Sequence, residues 1–71
     1  MLSGSICYVN TEKGFSFIRR DDSEPDVFCH HAALARSGIE SVQIGDHVEF
    51  GVRESHKRPG RFEATDIALV N

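Results

Sequence analysis

Residues 13–18 (KGFSFI) and 27–31 (VFCHH) decide the fold class, because aromatic rings in both runs are spaced two residues apart. A β-strand points residues i and i+2 to the same face, so the rings of each run would share one face of a sheet. Rings on an exposed face are costly to leave in water, and nucleobases stack on such rings for about 1–3 kcal/mol each. The pattern therefore favours a base-stacking surface that contains Phe15, Phe17, Phe28 and His30.

The residues between the rings would point the opposite way, into a core; they are Ser16, Ile18, Val27 and Cys29. The inverse arrangement, with the phenyl rings inside, also stays open, because a slip of one residue in register exchanges the two faces of a strand. The spacing alone does not choose between the two arrangements.

Length and composition indicate one small folded domain over residues 1–71. A domain of this size buries about 60% of its unfolded surface, which leaves no room for a deep substrate cavity. No apolar run approaches the roughly 18 residues of a membrane span, and residues 1–5 lack the basic and apolar regions of a signal peptide. We therefore expect a cytoplasmic protein with no membrane partner.

The net charge of −3 argues against a protein that holds phosphates by bulk charge alone. Basic residues nevertheless cluster in one polar segment: Arg53, Lys57, Arg58 and Arg61. Acidic residues concentrate in residues 21–26. Either cluster is most simply a solvated loop.

Alternating apolar residues and turn formers predict five strands, at residues 4–10, 15–20, 26–30, 48–52 and 62–70. Residues 31–36 could form a helical turn that ends at Ser37 and Gly38, and the imperfect alternation of the fifth strand suggests a bulge. Short strands at this spacing predict an all-β protein, a small closed barrel. The expected core is Ile6, Ile18, Val27, Cys29, Ile44, Val48, Phe50, Val52, Ile67 and Leu69.

The two opening runs resemble the RNP1 and RNP2 motifs of cold-shock domains, which read KGFGFI and VFVHF in that family. Further similarities follow in order along nearly the whole chain, at residues 10–13 (NTEK), 45–50 (GDHVEF) and 63–67 (EATDI). The resemblance implies a five-stranded antiparallel OB-fold barrel that binds single-stranded RNA or DNA across strands one to three. Many members of the family act as RNA chaperones or affect transcription and translation under stress.

The resemblance also implies which residues would contact nucleic acid. Stacking rings and neighbouring polar groups would be Tyr8, Asn10, Lys13, Phe15, Phe17, Phe28, His30 and His31. Loop cations would assist with the phosphates, and one further ring could extend the surface: Lys57, Arg58, Arg61 and Phe62.

Departures from the family pattern predict weaker binding than in a member with the full set of rings. The family's usual Lys-Trp-Phe-Asn reads CYVN at residues 7–10, which loses a cation, an indole and a phenyl ring. Ser16 replaces the RNP1 glycine, His31 replaces a ring, and Ile39 stands near another common phenylalanine. Each lost ring removes about 1–3 kcal/mol of stacking if nothing substitutes for it.

Neither an enzyme nor a metal site is expected. The chain has no glycine-rich phosphate loop and no nucleophile, base and acid at recognisable spacing. Cys7 and Cys29 form no CxxC motif and should remain thiols in a reducing cytosol, while the adjacent His30 and His31 would point apart on a strand. We therefore expect no cofactor, no metal ion and no small-molecule substrate.

Two other functions stay open. The lost cations and the acidic net charge would also suit a small barrel that acts as a protein-interaction adaptor, and an OB module that binds structured ribosomal RNA is a weaker alternative.

Stacking does not distinguish RNA from DNA, so the type of nucleic acid stays open. A monomer is expected from the resemblance, although exchange of strands between two chains is an alternative.

Overall fold

Five strands close into a barrel in a computed structural model that describes residues 1–70. The elements are β1 Leu2–Asn10, β2 Phe15–Arg20, β3 Val27–His30, α1 His31–Arg36, β4 His47–Glu54 and β5 Phe62–Leu69. Their order around the barrel is β1-β2-β3-β5-β4, and β4 returns to pair with β1. Neighbouring strands are antiparallel except β3 and β5, whose parallel pairing consists of Phe28 with Glu63. The predicted all-β barrel is confirmed.

The predicted strands are all present, with small differences at their ends. β1 begins two residues earlier than expected, because Leu2 pairs with Phe50 and Ser3 pairs with Glu49 of β4. The predicted helical turn is α1, and Gly38 follows it with a φ of +79°, which glycine adopts at less cost than other residues. None of the helices within residues 1–70 is long and apolar enough to cross a membrane.

The core contains most of the side chains expected to fill it, including Ile6, Ile18, Val27, Cys29, Val48, Phe50 and Ile67. Val52 is partly buried against them. The arrangement with the phenyl rings of β2 and β3 inside is wrong, because Ile18, Val27 and Cys29 are at most 1% exposed. Ser16 is buried with them, and its hydroxyl donates to the carbonyl oxygen of Cys29 at 3.5 Å.

Two residues expected in the core lie outside it. Ile44 is 68% exposed because it lies in a surface turn closed by a hydrogen bond from the Asp46 amide to the Gln43 carbonyl, and Val42 is buried instead. Leu69 is 46% exposed because it is the last residue of β5, at the rim of the barrel.

The bulge predicted in the fifth strand is present. Glu49 pairs with Ala68 while Gly51 pairs with Thr65, so β5 contains one residue more than β4 across this step. Asp66 has a φ of +51°, a conformation that suits a bulge. The extra residue lets Ala64 and Ile67 both face the core although they are three residues apart.

A second bulge, in β1, positions the functional face. Ile6 pairs with Ile18 and Tyr8 pairs with Phe17, which leaves Cys7 as an extra residue. Regular alternation from the buried Ile6 would turn Tyr8 inward, but the extra residue shifts the alternation by one and places Tyr8 on the outer face. Ile6 and Val9 consequently pack into the core while Tyr8 is exposed beside the rings of β2.

Candidate nucleic-acid interface

Four aromatic side chains lie together on the outer face of β1, β2 and β3; they are Tyr8, Phe15, Phe17 and Phe28, and we call them the ring platform. The register explains this grouping, because Phe17 pairs with Tyr8 on one side and with Phe28 on the other. Phe15 and Phe28 are stacked with centroids 5.4 Å apart, and Phe17 meets Phe28 edge-on at 5.8 Å. These contacts hold the rings in place and leave them partly exposed, so that flat ligands can stack on them.

His30 and His31 form a pair of rings beside the platform. The two centroids are 4.4 Å apart, so the expectation that they point apart is wrong; His31 begins α1 and does not continue the strand. His30 Nδ1 accepts a hydrogen bond from the Ala32 amide and caps the helix, and its ring centroid lies 6.3 Å from that of Phe28. His31 Nδ1 is 3.0 Å from the Gly14 carbonyl oxygen, to which it can only donate.

Asn10 and Lys13 shape the turn between β1 and β2. Asn10 Oδ1 accepts from the Lys13 amide at 3.0 Å, and Asn10 Nδ2 donates to the Tyr8 hydroxyl at 3.4 Å. Asn10 therefore connects the turn to the platform. Lys13 is exposed two residues before Phe15.

The loop between β4 and β5, residues 55–61, carries the predicted cations and is braced by its own hydrogen bonds. The Ser55 amide donates to the Arg61 carbonyl at 2.8 Å, and the Gly60 amide donates to the Glu54 carboxylate at 2.9 Å. Arg61 Cζ lies 4.5 Å from the centroid of Phe28, a cation–π contact that joins the loop to the platform.

Phe62 is the ring that could extend the surface. It is exposed and lines a groove with Pro25, Val27 and Arg61, separate from the stacked rings of the platform. Lys57 and Arg58 line a concavity of about 440 Å³ next to Phe28 and His30.

Three cations near the platform were missed as site residues. Arg19 follows Phe15 and Phe17 on the same face of β2 and is exposed, which continued alternation along the strand would have indicated. Arg36 at the end of α1 and Arg53 of β4 line the same concavity as the loop cations. No local sequence signal places these last two together, because they come from separate elements.

No set of three or more histidine, cysteine and acidic side chains suited to a metal ion occurs within residues 1–70. Both cysteines of this part of the chain are thiols, with Cys29 buried and Cys7 half-buried in the β1 bulge.

Cys7 should react slowly with alkylating reagents. Burial and the neighbouring Asp26 carboxylate, 3.6 Å from Sγ, raise the pKa of this thiol. Since the thiolate is the reactive form, alkylation by iodoacetamide at pH 8 should be slower than in the urea-unfolded chain by a factor of about three or more, as followed by mass spectrometry of the Cys7 peptide.

The variant Asp26→Asn provides the control, because it removes a charge that raises the pKa and should therefore accelerate Cys7 labelling. Cys29 should stay unlabelled in both folded proteins, since burial excludes the reagent and raises the pKa of this thiol as well. Equal Cys7 rates in the folded and unfolded chains would contradict the prediction.

Comparison of the sequence with known proteins identifies one family. A family model described as the 'Cold-shock' DNA-binding domain matches residues 2–70. A cold shock-like protein of Stigmatella aurantiaca is 42% identical over 57 residues, which cover 80% of this chain and 84% of the relative. A cold shock protein of Arthrobacter globiformis is 36% identical over 70 residues, 99% of this chain and 100% of the relative. The major cold shock protein of Streptococcus pyogenes is 35% identical over 68 residues, 96% and 100% of the two chains.

Proposed function

Because this chain belongs to the cold-shock domain family, we propose that it binds single-stranded RNA or DNA by stacking bases on the ring platform. Membership of the family implies nucleic-acid binding, and our proposal adds that the bases stack on the ring platform. The observation that carries it is the grouping of four aromatic rings on one outer face, each ring about 6 Å from a neighbour.

Stacking should supply more of the affinity than charge does. Each base stacked on an aromatic ring contributes about 1–3 kcal/mol, and the ring faces accept any base, so broad sequence tolerance is expected. The net charge of −3 limits the number of counterions that binding can release. Affinity should therefore fall less steeply with salt than in a strongly basic protein.

The same geometry supports a role as an RNA chaperone or as a regulator of transcription or translation. A base that stacks on the platform is withdrawn from pairing, so binding would favour the open form of a weak hairpin. Such a role requires no catalysis, no cofactor and no metal ion.

Intrinsic tyrosine fluorescence is the direct test. Tyr8 is the sole tyrosine of the chain, tryptophan is absent, and Tyr8 belongs to the platform. Adding oligo(dT) or oligo(U) should quench its emission saturably at micromolar concentrations, and the quenching should survive an increase of salt from about 50 to about 200 mM.

The variant Phe62→Ala is a matched control, because its ring lies outside the platform and its loss should leave the titration unchanged. If both oligonucleotides leave the emission of the folded protein unchanged, stacking on the platform is wrong. The adaptor alternative would then be tested by recovering a single protein partner after nuclease treatment.

A further inference from the structure

Five of the eight lysine and arginine residues of this acidic chain line one concavity; they are Arg36, Arg53, Lys57, Arg58 and Arg61. The concavity measures about 440 Å³ and adjoins Phe28 and His30. Its one carboxylate is that of Glu63, and Ser55 and His56 add polar groups. The charge of the protein is thus strongly segregated, with most of its cations at one end of the ring platform.

The backbone brings these cations together before any ligand arrives. Arg36 stands in the last turn of α1, and Arg53 lies on β4 with its guanidinium 3.8 Å from the Glu63 carboxylate. The loop cations are held by the bonds that brace residues 55–61, including one from the Arg58 amide to the buried Ser55 hydroxyl at 3.4 Å. The backbone that carries these cations therefore needs little ordering, and the cost of binding an anion falls on the exposed side chains.

A phosphodiester inside a strand carries a single negative charge, which one or two of these cations would satisfy. A terminal phosphate monoester carries about −1.5 to −2 at pH 7 and exposes three acceptor oxygens, which suit several guanidinium groups at once. The adjoining ring of Phe28 would stack the base of the same terminal nucleotide in place of the Arg61 guanidinium, which lies 4.5 Å over that ring and would turn to the phosphate.

We propose that the concavity binds the terminal phosphate of a nucleotide whose base stacks on Phe28, so that the protein prefers strands with phosphorylated ends. This inference deepens the proposed function and rests on it for the position of the base. The same chemistry could be supplied by a strand end or by a free nucleotide, and the experiment separates the two.

The test compares short oligo(dT) strands that differ at their ends alone: hydroxyl at both ends, 5′-phosphate, 5′-triphosphate and 3′-phosphate. At about 50 mM salt, at least one phosphorylated form should bind about three- to tenfold more tightly than the hydroxyl form, and the gain should shrink at about 200 mM. Thymidine triphosphate is titrated beside them, and an affinity equal to that of the phosphorylated strands would identify a free nucleotide as the source.

The outcomes separate this inference from the function on which it rests. Equal affinities for all strands would overturn the terminal-phosphate site and leave single-strand binding intact. Absence of binding by every strand would overturn both.

Single-charge variants locate the effect. Arg58→Gln and Arg36→Gln change exposed side chains of the concavity, and each should reduce the ratio of phosphorylated to hydroxyl affinity towards one. Arg19→Gln removes the same charge from the outer face of β2, away from the concavity, and should weaken both ligands equally so that the ratio is unchanged. An unchanged ratio in both concavity variants would overturn the assignment, and far-ultraviolet circular dichroism confirms that each variant is folded.

Discussion

Phe28→Ala is expected to weaken the binding of single-stranded nucleic acid at least tenfold while the barrel stays folded. Phe28 is the most connected ring of the platform: it stacks on Phe15, meets Phe17 edge-on and supports the guanidinium of Arg61. Removing the ring deletes one stacking position, worth about 1–3 kcal/mol, and releases the Arg61 side chain that covers it. The variant should fold because Phe28 lies outside the buried core.

The affinity is measured by quenching of Tyr8, and the fold by circular dichroism. Phe62→Ala serves as the control, because it deletes the same ring from the start of β5, where it does not contact the platform. Phe15→Ala should behave like Phe28→Ala. Undiminished binding by folded Phe28→Ala and Phe15→Ala proteins would exclude the platform as the binding surface.

The largest effect on stability is expected for Phe50→Ala. Phe50 has no exposed surface and is the largest fully buried side chain within residues 1–70. Truncating a buried phenylalanine costs about 3–5 kcal/mol, whereas a domain of this length holds about 4–11 kcal/mol in total. The variant should therefore be largely unfolded or melt far below the parent, as measured by urea or thermal unfolding.

Ile44→Ala is the matched control for that experiment. It also removes a large apolar side chain, but Ile44 is 68% exposed, so its free energy of unfolding should change by no more than about 0.5 kcal/mol. Similar losses in the two variants would contradict the assignment of the core.

Period-two alternation predicted which residues of a regular strand share a face, and the family resemblance chose the face that lies inside. Together they placed Ile18, Val27 and Cys29 in the core, and the imperfect alternation of β5 correctly indicated an irregularity. Alternation could not place Tyr8, because the extra residue at Cys7 changes which side chains face outward, and a bulge of this kind has no local sequence signal here. The position of Tyr8 on the outer face came from the family resemblance instead.

The remaining differences arise where tertiary contacts decide the outcome. The two histidine rings were expected to point apart as on a strand, although His31 lies at the predicted helical turn, and its position at the start of α1 brings its ring against His30. The basic cluster of residues 53–61 was recognised from the sequence, but the concavity was not, because the end of α1 and residues of β3 and β5 complete it. Residues distant in sequence give no periodic signal when a closed sheet brings them together.

The parallel pairing of β3 with β5 gives the barrel one weak joint. All the other strand pairs form ladders of four or more residue pairs within the described chain, whereas this one is a single pair at Phe28 and Glu63. This short pairing lies between the ring platform, which includes Phe28 of β3, and the cationic loop that precedes β5. A strand of nucleic acid in contact with both would connect β3 to β5, so that binding would stabilise the barrel where its backbone pairing is shortest.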